Sequence, residues 1–312
     1  METPGKGPET PETNWPDFVE LETSRKCNRK CLWCPNGVVV DRSEQRHMPW
    51  RLFVKILNDL RSIDFRSELS LHNYNEPLAS DRIVDEYILA HETLPAASLT
   101  LYTNGDYMSP GLFGRLSSAG VARMRITRYP RRAEADPREQ VASVRNWART
   151  ALGADFPVHP VRQHNGMMAV VQRSSVRVEL LLPDIAAHFL DRGGTVRSLS
   201  DGDYVRTHPC NATVAAAAID YQGRLKMCCN VVSDWGGHKN YFVGSLRRNS
   251  FSELWNSPML SELRERHGVA DWKLSAICRS CTHRMPSRVS AGSLQDRMIE
   301  SSRDGKRAPH SG

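Results

Sequence analysis

No stretch of the 312 residues reaches the ~18 to 20 consecutive apolar positions that a membrane-spanning helix needs. The first residues, Met1-Glu2-Thr3-Pro4-Gly5-Lys6, also lack the apolar centre of a signal peptide. Both absences lead us to expect a cytoplasmic chain with no membrane partner. A dominant charge is missing too. Forty-two Lys and Arg against 35 Asp and Glu leave a net +7, and the basic residues are scattered rather than gathered into a stripe. That pattern offers no footing for nucleic acid and is compatible with an anionic substrate or an acidic protein partner. What is present is ordinary: 40% hydrophobic and 25% charged residues, enough for one large domain or two smaller ones. Residues 1–15 are Pro, Glu, Thr and Gly with almost nothing apolar, so they cannot offset their ordering entropy and are expected to be disordered.

Cysteine is the informative residue. A cytoplasmic protein seldom holds eight cysteines as disulfides, which turns attention to metal or redox chemistry. They fall into two groups, Cys27, Cys31 and Cys34, then Cys210, Cys228, Cys229, Cys278 and Cys281, with none between.

From Phe18 onward, short apolar runs alternate with helix-period segments. Phe18-Val19-Glu20-Leu21 reads as a strand, followed by a helix opened by Pro49 with Leu52, Phe53, Ile56, Leu57 and Leu60 on one face. Leu69-Ser70-Leu71 leads to a helix with Ile83, Val84, Tyr87 and Ile88, and Leu99 to Tyr102 leads to one with Leu112, Phe113 and Leu116, stopped at Gly120. Val121 to Thr127 predicts a fourth strand, followed by a helix with Val141, Val144 and Ala148. Val158 to Arg162 and Val176 to Leu182 predict a fifth and a sixth, with Gln163 to Gln172 an insertion or loop. This alternation predicts a parallel α/β sheet with crossover helices, open or curled into a barrel. After Gly193-Gly194 a second, smaller domain is expected from residue 195. It holds a hairpin, Val214 to Asp220 and Arg224 to Val231 around Tyr221-Gln222-Gly223, and one helix from Phe251 to Arg266, ended by Gly268. The tail from 287 to 312, rich in Ser, Arg and Gly, is expected to be loosely ordered apart from a short helix around Leu294 to Ile299.

Cys27-x3-Cys31-x2-Cys34 supplies three thiolates from one loop directly after the first strand. A structural zinc would want a fourth ligand nearby, for which His47 is the candidate; an iron-sulfur cluster can take three thiolates and leave one iron open. Arg25, Lys26, Arg29 and Lys30 would stabilise anionic thiolates and a negatively charged ligand. Cys27-Asn28-Arg29-Lys30-Cys31-Leu32-Trp33-Cys34 resembles the motif of the radical S-adenosylmethionine (radical SAM) superfamily, including the aromatic Trp33 before the last cysteine. Two further segments match in order. Asn73-Tyr74-Asn75-Glu76-Pro77-Leu78 is similar to the superfamily's Gly-Gly-Glu-Pro segment, with Asn75 in place of a glycine, and Thr103-Asn104-Gly105 is similar to its Thr-Asn-Gly turn.

The resemblance covers residues 18 to about 190 and implies a partial (β/α)6 barrel over 16–194. It implies a 4Fe-4S cluster on Cys27, Cys31 and Cys34 whose open iron binds SAM and cleaves it to a 5′-deoxyadenosyl radical. Trp33, Asn75, Glu76, Thr103, Asn104, Gly105 and Thr127 are the implied SAM contacts, all near C-terminal strand ends, where such sheets place ligands. A flavodoxin- or ferredoxin-type electron donor is implied as well.

The second cysteine group can hold zinc or a fully ligated iron-sulfur cluster. Its context, Asp220-x2-Gly223-x4-Cys228-Cys229, Val243-Gly244-Ser245-Leu246, Phe251 to Ser257, then Cys278-x2-Cys281, resembles the Twitch/SPASM extension of radical SAM enzymes. That resemblance implies an auxiliary 4Fe-4S cluster on Cys210, Cys228, Cys278 and Cys281 in a domain over 195–286. Cys229 is left over, either a small buried hydrophobe or a hydrogen-atom donor.

Size and cysteine pattern are most similar to the sugar- and aminocyclitol-modifying members, of the 2-deoxy-scyllo-inosamine dehydrogenase and neomycin C epimerase types, which act in antibiotic assembly. Dehydrogenation of a carbinol to a ketone is the leading expectation, with epimerisation through Cys229 the alternative. His72, Tyr74, Tyr129 and Arg162 lie near predicted strand ends as substrate contacts or packing residues. A ribosomal peptide maturase is the competing enzyme class, against which stands the shortness of the segment before the first strand. A non-enzymatic metal scaffold is a further competitor, against which stand Glu76 and the Thr103-Asn104-Gly105 turn.

Overall fold

Phe18–Leu21 (β1) is buried at every position, Glu20 included, as expected of a strand covered on both faces. The computed structural model describes residues 15–40, 46–130, 136–153, 159–163, 166–184, 190–200 and 202–283. Around β1 grows one ten-stranded sheet: β2 (Glu68–Ser70), β3 (Ser98–Thr103), β4 (Val121–Thr127), β5 (Val161–Gln163), β6 (Gly166–Arg173), β7 (Val176–Pro183), β8 (Ala216–Ile219), β9 (Arg224–Lys226) and β10 (Phe242–Ser245). Their order is β10-β9-β8-β1-β2-β3-β4-β7-β6-β5, an open mixed sheet whose parallel centre runs from β8 to β7.

Between the strands run the helices α1 (Pro35–Val38), α2 (Trp50–Ser62), α3 (Ile83–Thr93), α4 (Pro110–Ser118) and α5 (Pro137–Leu152). The apolar stripe expected for α2 is the observed one, with Leu52, Phe53, Ile56, Leu57 and Leu60 all buried. Ser109 caps α4 by accepting from the Leu112 amide, and the chain turns back at Gly120 with φ +87°.

Several expectations need correction. Residues 166–173 are not a loop but the strand β6, antiparallel to both β5 and β7, so a hairpin is spliced onto the sheet edge. Val176–Pro183 is therefore the fifth parallel strand along the chain; the sixth is β8, which pairs with β1 at the opposite side. The helix expected over Phe251 to Arg266 is two, α7 (Phe251–Trp255) and α8 (Pro258–Gly268). Pro258 has no amide to continue the first ladder, and Ser257 caps the second helix instead, accepting from the Leu260 amide at 3.4 Å. The hairpin is shorter than expected: Ala212–Ala215 is a helical turn, α6, and the paired residues are confined to β8 and β9. Val158, the N-terminal residues before Trp15 and the tail with Leu294 to Ile299 lie outside the described residues. Among the described residues no helix is long and apolar enough to cross a membrane.

Candidate active site between two cysteine groups

β1 ends at Leu21 and delivers the chain to the loop that carries Cys27, Cys31 and Cys34, all partly exposed. The Cys34 amide bonds the Cys31 carbonyl at 3.1 Å, and α1 then packs so closely that a Cβ on Gly37 would lie 2.2 Å from the Cys31 carbonyl oxygen. Polar latches fix the loop to neighbouring strand ends. Asn28 and Arg29 both reach Asp106, at 2.8 and 2.6 Å, and Arg128 reaches the same carboxylate at 3.1 Å. Burial opposes ionisation of Asp106, yet Arg29, Asn28 and Arg128 together hold it below the usual carboxylate range. Asn36 donates to the Tyr74 carbonyl, and the Glu76 amide bonds the Lys26 carbonyl at 2.7 Å.

The Asn73 to Leu78 segment sits beside this loop. Asn75 keeps a backbone that needs no glycine, since its φ is not positive, and its side chain staples the turn by accepting from the Asn73 amide and donating to the Leu71 carbonyl. The Glu76 carboxylate accepts from the Leu78 amide at 3.1 Å, the Asn104 amide at 2.7 Å and the Thr103 hydroxyl. Burial nonetheless raises its pKa to about 7. Gly105 has φ +71°, and a Cβ there would strike Ile126 and Trp147, so the Thr-Asn-Gly turn requires its glycine. Asn104 also donates to Asn28 at 2.8 Å, tying this turn to the cysteine loop. Thr127 is half-buried at the end of β4. Trp33 lies against Tyr129 with ring centroids 6.1 Å apart.

The second group assembles from distant stretches. Cys210 precedes α6, Cys228 follows β9, and Cys278 and Cys281 lie in the last described turn. Cys228 is pushed well above the ordinary thiol value by burial first, then by Cys278, Cys281 and Cys210, so these four share one space. Burial likewise lifts Cys278 to about 12 and Cys281 to about 11. None of the eight cysteines forms a disulfide.

Residues 210–282 match the SPASM family, an iron-sulfur cluster-binding domain. The S-adenosyl-L-methionine-dependent 2-deoxy-scyllo-inosamine dehydrogenase of Niallia circulans is 32% identical over 113 residues, which span 36% of this chain and 44% of that enzyme. The chain is thus matched to less than half the length of this curated relative. BtrN in complex with AdoMet and 2-DOIA superposes with a TM-score of 0.64 at 20% identity, over 86% of this chain and 93% of that one. BtrN in an open conformation superposes with a TM-score of 0.58 at 18% identity, over 86% and 94%. The chain has the radical SAM fold with a SPASM domain.

The cysteines fit the groups that this fold and domain imply. In the SPASM domain, four thiols crowd one space, yet among the described residues no three Cys, His, Asp or Glu side chains close to single-ion spacing. Four neighbouring thiols are a ligand set that a fully ligated iron-sulfur cluster takes, and the matched family binds an iron-sulfur cluster. His47 pairs with Ser24 across an isolated antiparallel bridge just before the cysteine loop, and burial, Arg82 and Lys26 lower its pKa.

Between the two groups of this radical SAM fold lies a polar space. Burial raises the Tyr74 phenol far above its usual value, and Cys229, Cys34 and Cys228 add to the effect, which places Tyr74 between both groups. Its hydroxyl is buried with no hydrogen-bond partner. Arg192 occupies the same position; burial opposes its charge, but Tyr74, Cys229, Cys34 and Glu20 raise its pKa. Cys229 lies among Glu20, Arg192 and Lys226, with Cys228 beside it. Its pKa is raised well above normal by burial first, then by Glu20 and Cys228, against the pull of Arg192 and Lys226. The floor is His72, stacked on Tyr102 at 4.3 Å, bonded to Ser70 at 2.7 Å and held at a pKa of about 3 by burial, hence neutral. Arg162 is exposed on β5, the strand at the opposite edge of the sheet from the SPASM hairpin.

Sequence reasoning misses Arg192, Glu20, Lys226, Asn230 and Arg206. Arg192 adopts φ +52°, followed by Gly193 at +66° and Gly194 at +84°, a left-handed run whose glycines suggest only a boundary in the sequence. Glu20 has a visible signal, a single acid inside an otherwise apolar strand. Burial raises its pKa, and it accepts from Asn73 at 2.5 Å, whose own carbonyl accepts from buried Lys226 at 2.5 Å.

Proposed function

We propose that the protein is a radical SAM oxidoreductase that removes a hydrogen atom from a carbinol carbon of a sugar or aminocyclitol and yields the ketone, in the biosynthesis of a natural product such as an antibiotic. The observation that carries this reading is the polar space of Tyr74, Arg192, Glu20 and His72 between two cysteine groups, lined by side chains that donate and accept hydrogen bonds. The curated relative supports it, being named a dehydrogenase of 2-deoxy-scyllo-inosamine, and BtrN was solved with AdoMet and 2-DOIA.

Cys27, Cys31 and Cys34 would hold a 4Fe-4S cluster with one iron left for SAM, and Cys210, Cys228, Cys278 and Cys281 a second, fully ligated one. When bound, these groups supply hydrogen-atom abstraction from an unactivated carbon and an acceptor for the electron that oxidation leaves behind. Glu76 fixes the Thr103-Asn104 turn, and Asn75, Gly105, Thr127 and Trp33 line the approach to the first cysteine loop, where SAM would lie. Arg192 and Tyr74 orient hydroxyl groups of the substrate. Glu20, whose buried carboxyl binds a proton more tightly than usual, takes the proton of the reacting hydroxyl. The basic residues Lys26, Arg29 and Lys30 favour an acidic flavodoxin- or ferredoxin-type donor.

A second reading, epimerisation, draws on Cys229. Burial keeps its thiol protonated at neutral pH, the state a hydrogen-atom donor needs, and it faces Arg192 and Glu20. Anaerobic turnover with SAM, a reductant and a panel of sugars and aminocyclitols decides among these readings. Oxidation predicts 5′-deoxyadenosine and a product two hydrogens lighter, unaffected by Cys229→Ala. Epimerisation predicts unchanged mass, one deuterium gained in D2O, and loss of inversion in Cys229→Ala. No 5′-deoxyadenosine with any substrate would sink both.

A further inference from the structure

Asn230 stands where the polar space meets the second cysteine group. It is 3% exposed, so each of its polar atoms must find a partner within the protein. Arg192 Nη1 donates to Asn230 Oδ1 at 3.0 Å. On the other side, Asn230 Nδ2 donates to His283 Nδ1 at 3.1 Å and to Cys281 Sγ at 3.9 Å, within reach of the larger sulfur. The three contacts fix the amide's orientation. A flipped Asn230 would set its NH2 against the guanidinium and its oxygen against the thiolate, repulsive on both sides. The backbone supports the same arrangement: His238, fully buried, accepts from the Val232 amide at 2.9 Å and contacts the Gly193 carbonyl at 2.9 Å, bracing the left-handed Arg192 turn against the Asn230 segment.

Resting on the reading that Cys281 ligates an auxiliary iron-sulfur cluster, we propose that Asn230 is a positioning residue that sets the redox potential of that cluster and couples it to Arg192. An N–H donated to a ligand sulfur stabilises the more negative, reduced state of a cluster, because reduction places charge on the sulfurs. The guanidinium on Oδ1 polarises the amide and strengthens the N–H on the far side. The arginine that faces the substrate space thereby acts on the electron acceptor through one side chain, and a substrate group that engages Arg192 changes the acceptor's potential before any electron moves.

The test isolates the second cluster in the Cys27→Ala/Cys31→Ala/Cys34→Ala background and measures its midpoint potential by redox titration with electron paramagnetic resonance, with and without Asn230→Leu and Asn230→Asp. The expected result is a more negative midpoint in both variants, larger for Asn230→Asp, with iron and sulfide content retained. Arg192→Met should lower the midpoint by more when Asn230 is present than in the Asn230→Leu variant, since only the amide relays the polarisation.

In wild type, pulsed resonance should detect an exchangeable proton strongly coupled to the second cluster, absent from Asn230→Asp. That measurement stands even if a variant loses iron. An unshifted midpoint in both variants, or a wild-type cluster without the coupled proton, overturns the inference alone. A second group that binds zinc, or no metal, overturns the auxiliary-cluster reading and this inference with it.

Discussion

The two cysteine groups are held by opposite means. The first lies on a single loop of eight residues, partly exposed, and is kept in place by side-chain latches at the surface, chiefly Asn28, Arg29 and Arg128 on Asp106. The second is drawn from residues 71 positions apart, with Cys278 and Cys281 buried and Cys278 within the main apolar core. On the reading proposed above, the first group admits a ligand and an electron donor and so cannot be walled in by core packing, whereas the second only receives an electron and gains from an enclosure that excludes water and side reactions. The first group should therefore be easy to loosen without unfolding anything, whereas the second should be inseparable from the stability of its domain.

Arg206 gives the sharpest way to break that contrast. It is 2% exposed and donates to four backbone carbonyls, those of His208, Pro209, Cys281 and His283, at 3.0, 2.8, 3.3 and 2.6 Å. It clamps the approach to Cys210 against the turn of Cys281, and its guanidinium lies 5.3 Å from the Trp272 ring centroid. Arg206→Met removes all four donors and leaves the carbonyls buried, a cost of roughly 3 to 5 kcal/mol. Iron analysis should show the second group's metal lost and the first group's kept, with a clear fall in the thermal midpoint. Equal loss from both groups would mean that the two are not independently held.

A smaller effect is expected from Asp106→Ala. Asn28, Arg29 and Arg128 lose their common acceptor, but all three remain near solvent, so the thermal midpoint should hardly move. The loop and the Asn104 turn lose their alignment instead. SAM binding, followed by equilibrium dialysis under anaerobic conditions, should weaken about tenfold, the worth of one charge-assisted hydrogen bond. A drop in stability as large as that of Arg206→Met would erase the distinction between latch and core.

The same contrast explains what could be read from the sequence. The first group and its companions were legible because ligand chemistry demands cysteines at short spacing, and because Gly105 must be glycine where φ is +71° and Ile126 and Trp147 crowd the turn. The parallel strands were legible because burial on both faces leaves near-continuous apolar runs. The β5–β6 hairpin was not, since its positions vary irregularly among exposed, half-buried and, at Ala169, buried, and carry no clean period. The break at Ser257-Pro258 had a local signal that the longer apolar periodicity outweighed. Arg192 had almost none: a left-handed arginine depends on the surrounding braces of His238 and Asn230, which only tertiary structure brings together.

The smallest and most specific effect is on pH. Burial raises Glu76 from an ordinary 4.5 to about 7, whereas Cys278 and Cys281, at about 12 and 11, stay protonated until metal binds. Between pH 5 and 8 Glu76, beside the first group, titrates and those second-group thiols do not. Because the folded state holds the Glu76 proton more tightly than the unfolded chain, its stabilising contribution is full below pH 4.5. That contribution is lost as pH rises through 7, a change of about 3 kcal/mol. Glu22, raised by burial to about 7 beside Lys226, Asp220 and Asp234, has the same sign and needs its own control. Anaerobic denaturation at pH 5.5 and 8.0 reads this against His72, His267 and His283, whose pKa values are lowered by burial and which add stability as pH rises. The change in stability from pH 5.5 to 8.0 should be more positive in Glu76→Gln than in wild type, and most positive in the Glu76→Gln/Glu22→Gln pair. A pH slope identical in all three would show that neither carboxyl binds its proton more tightly in the fold, and would remove Glu76 as the group that ties the Asn104 turn to proton uptake.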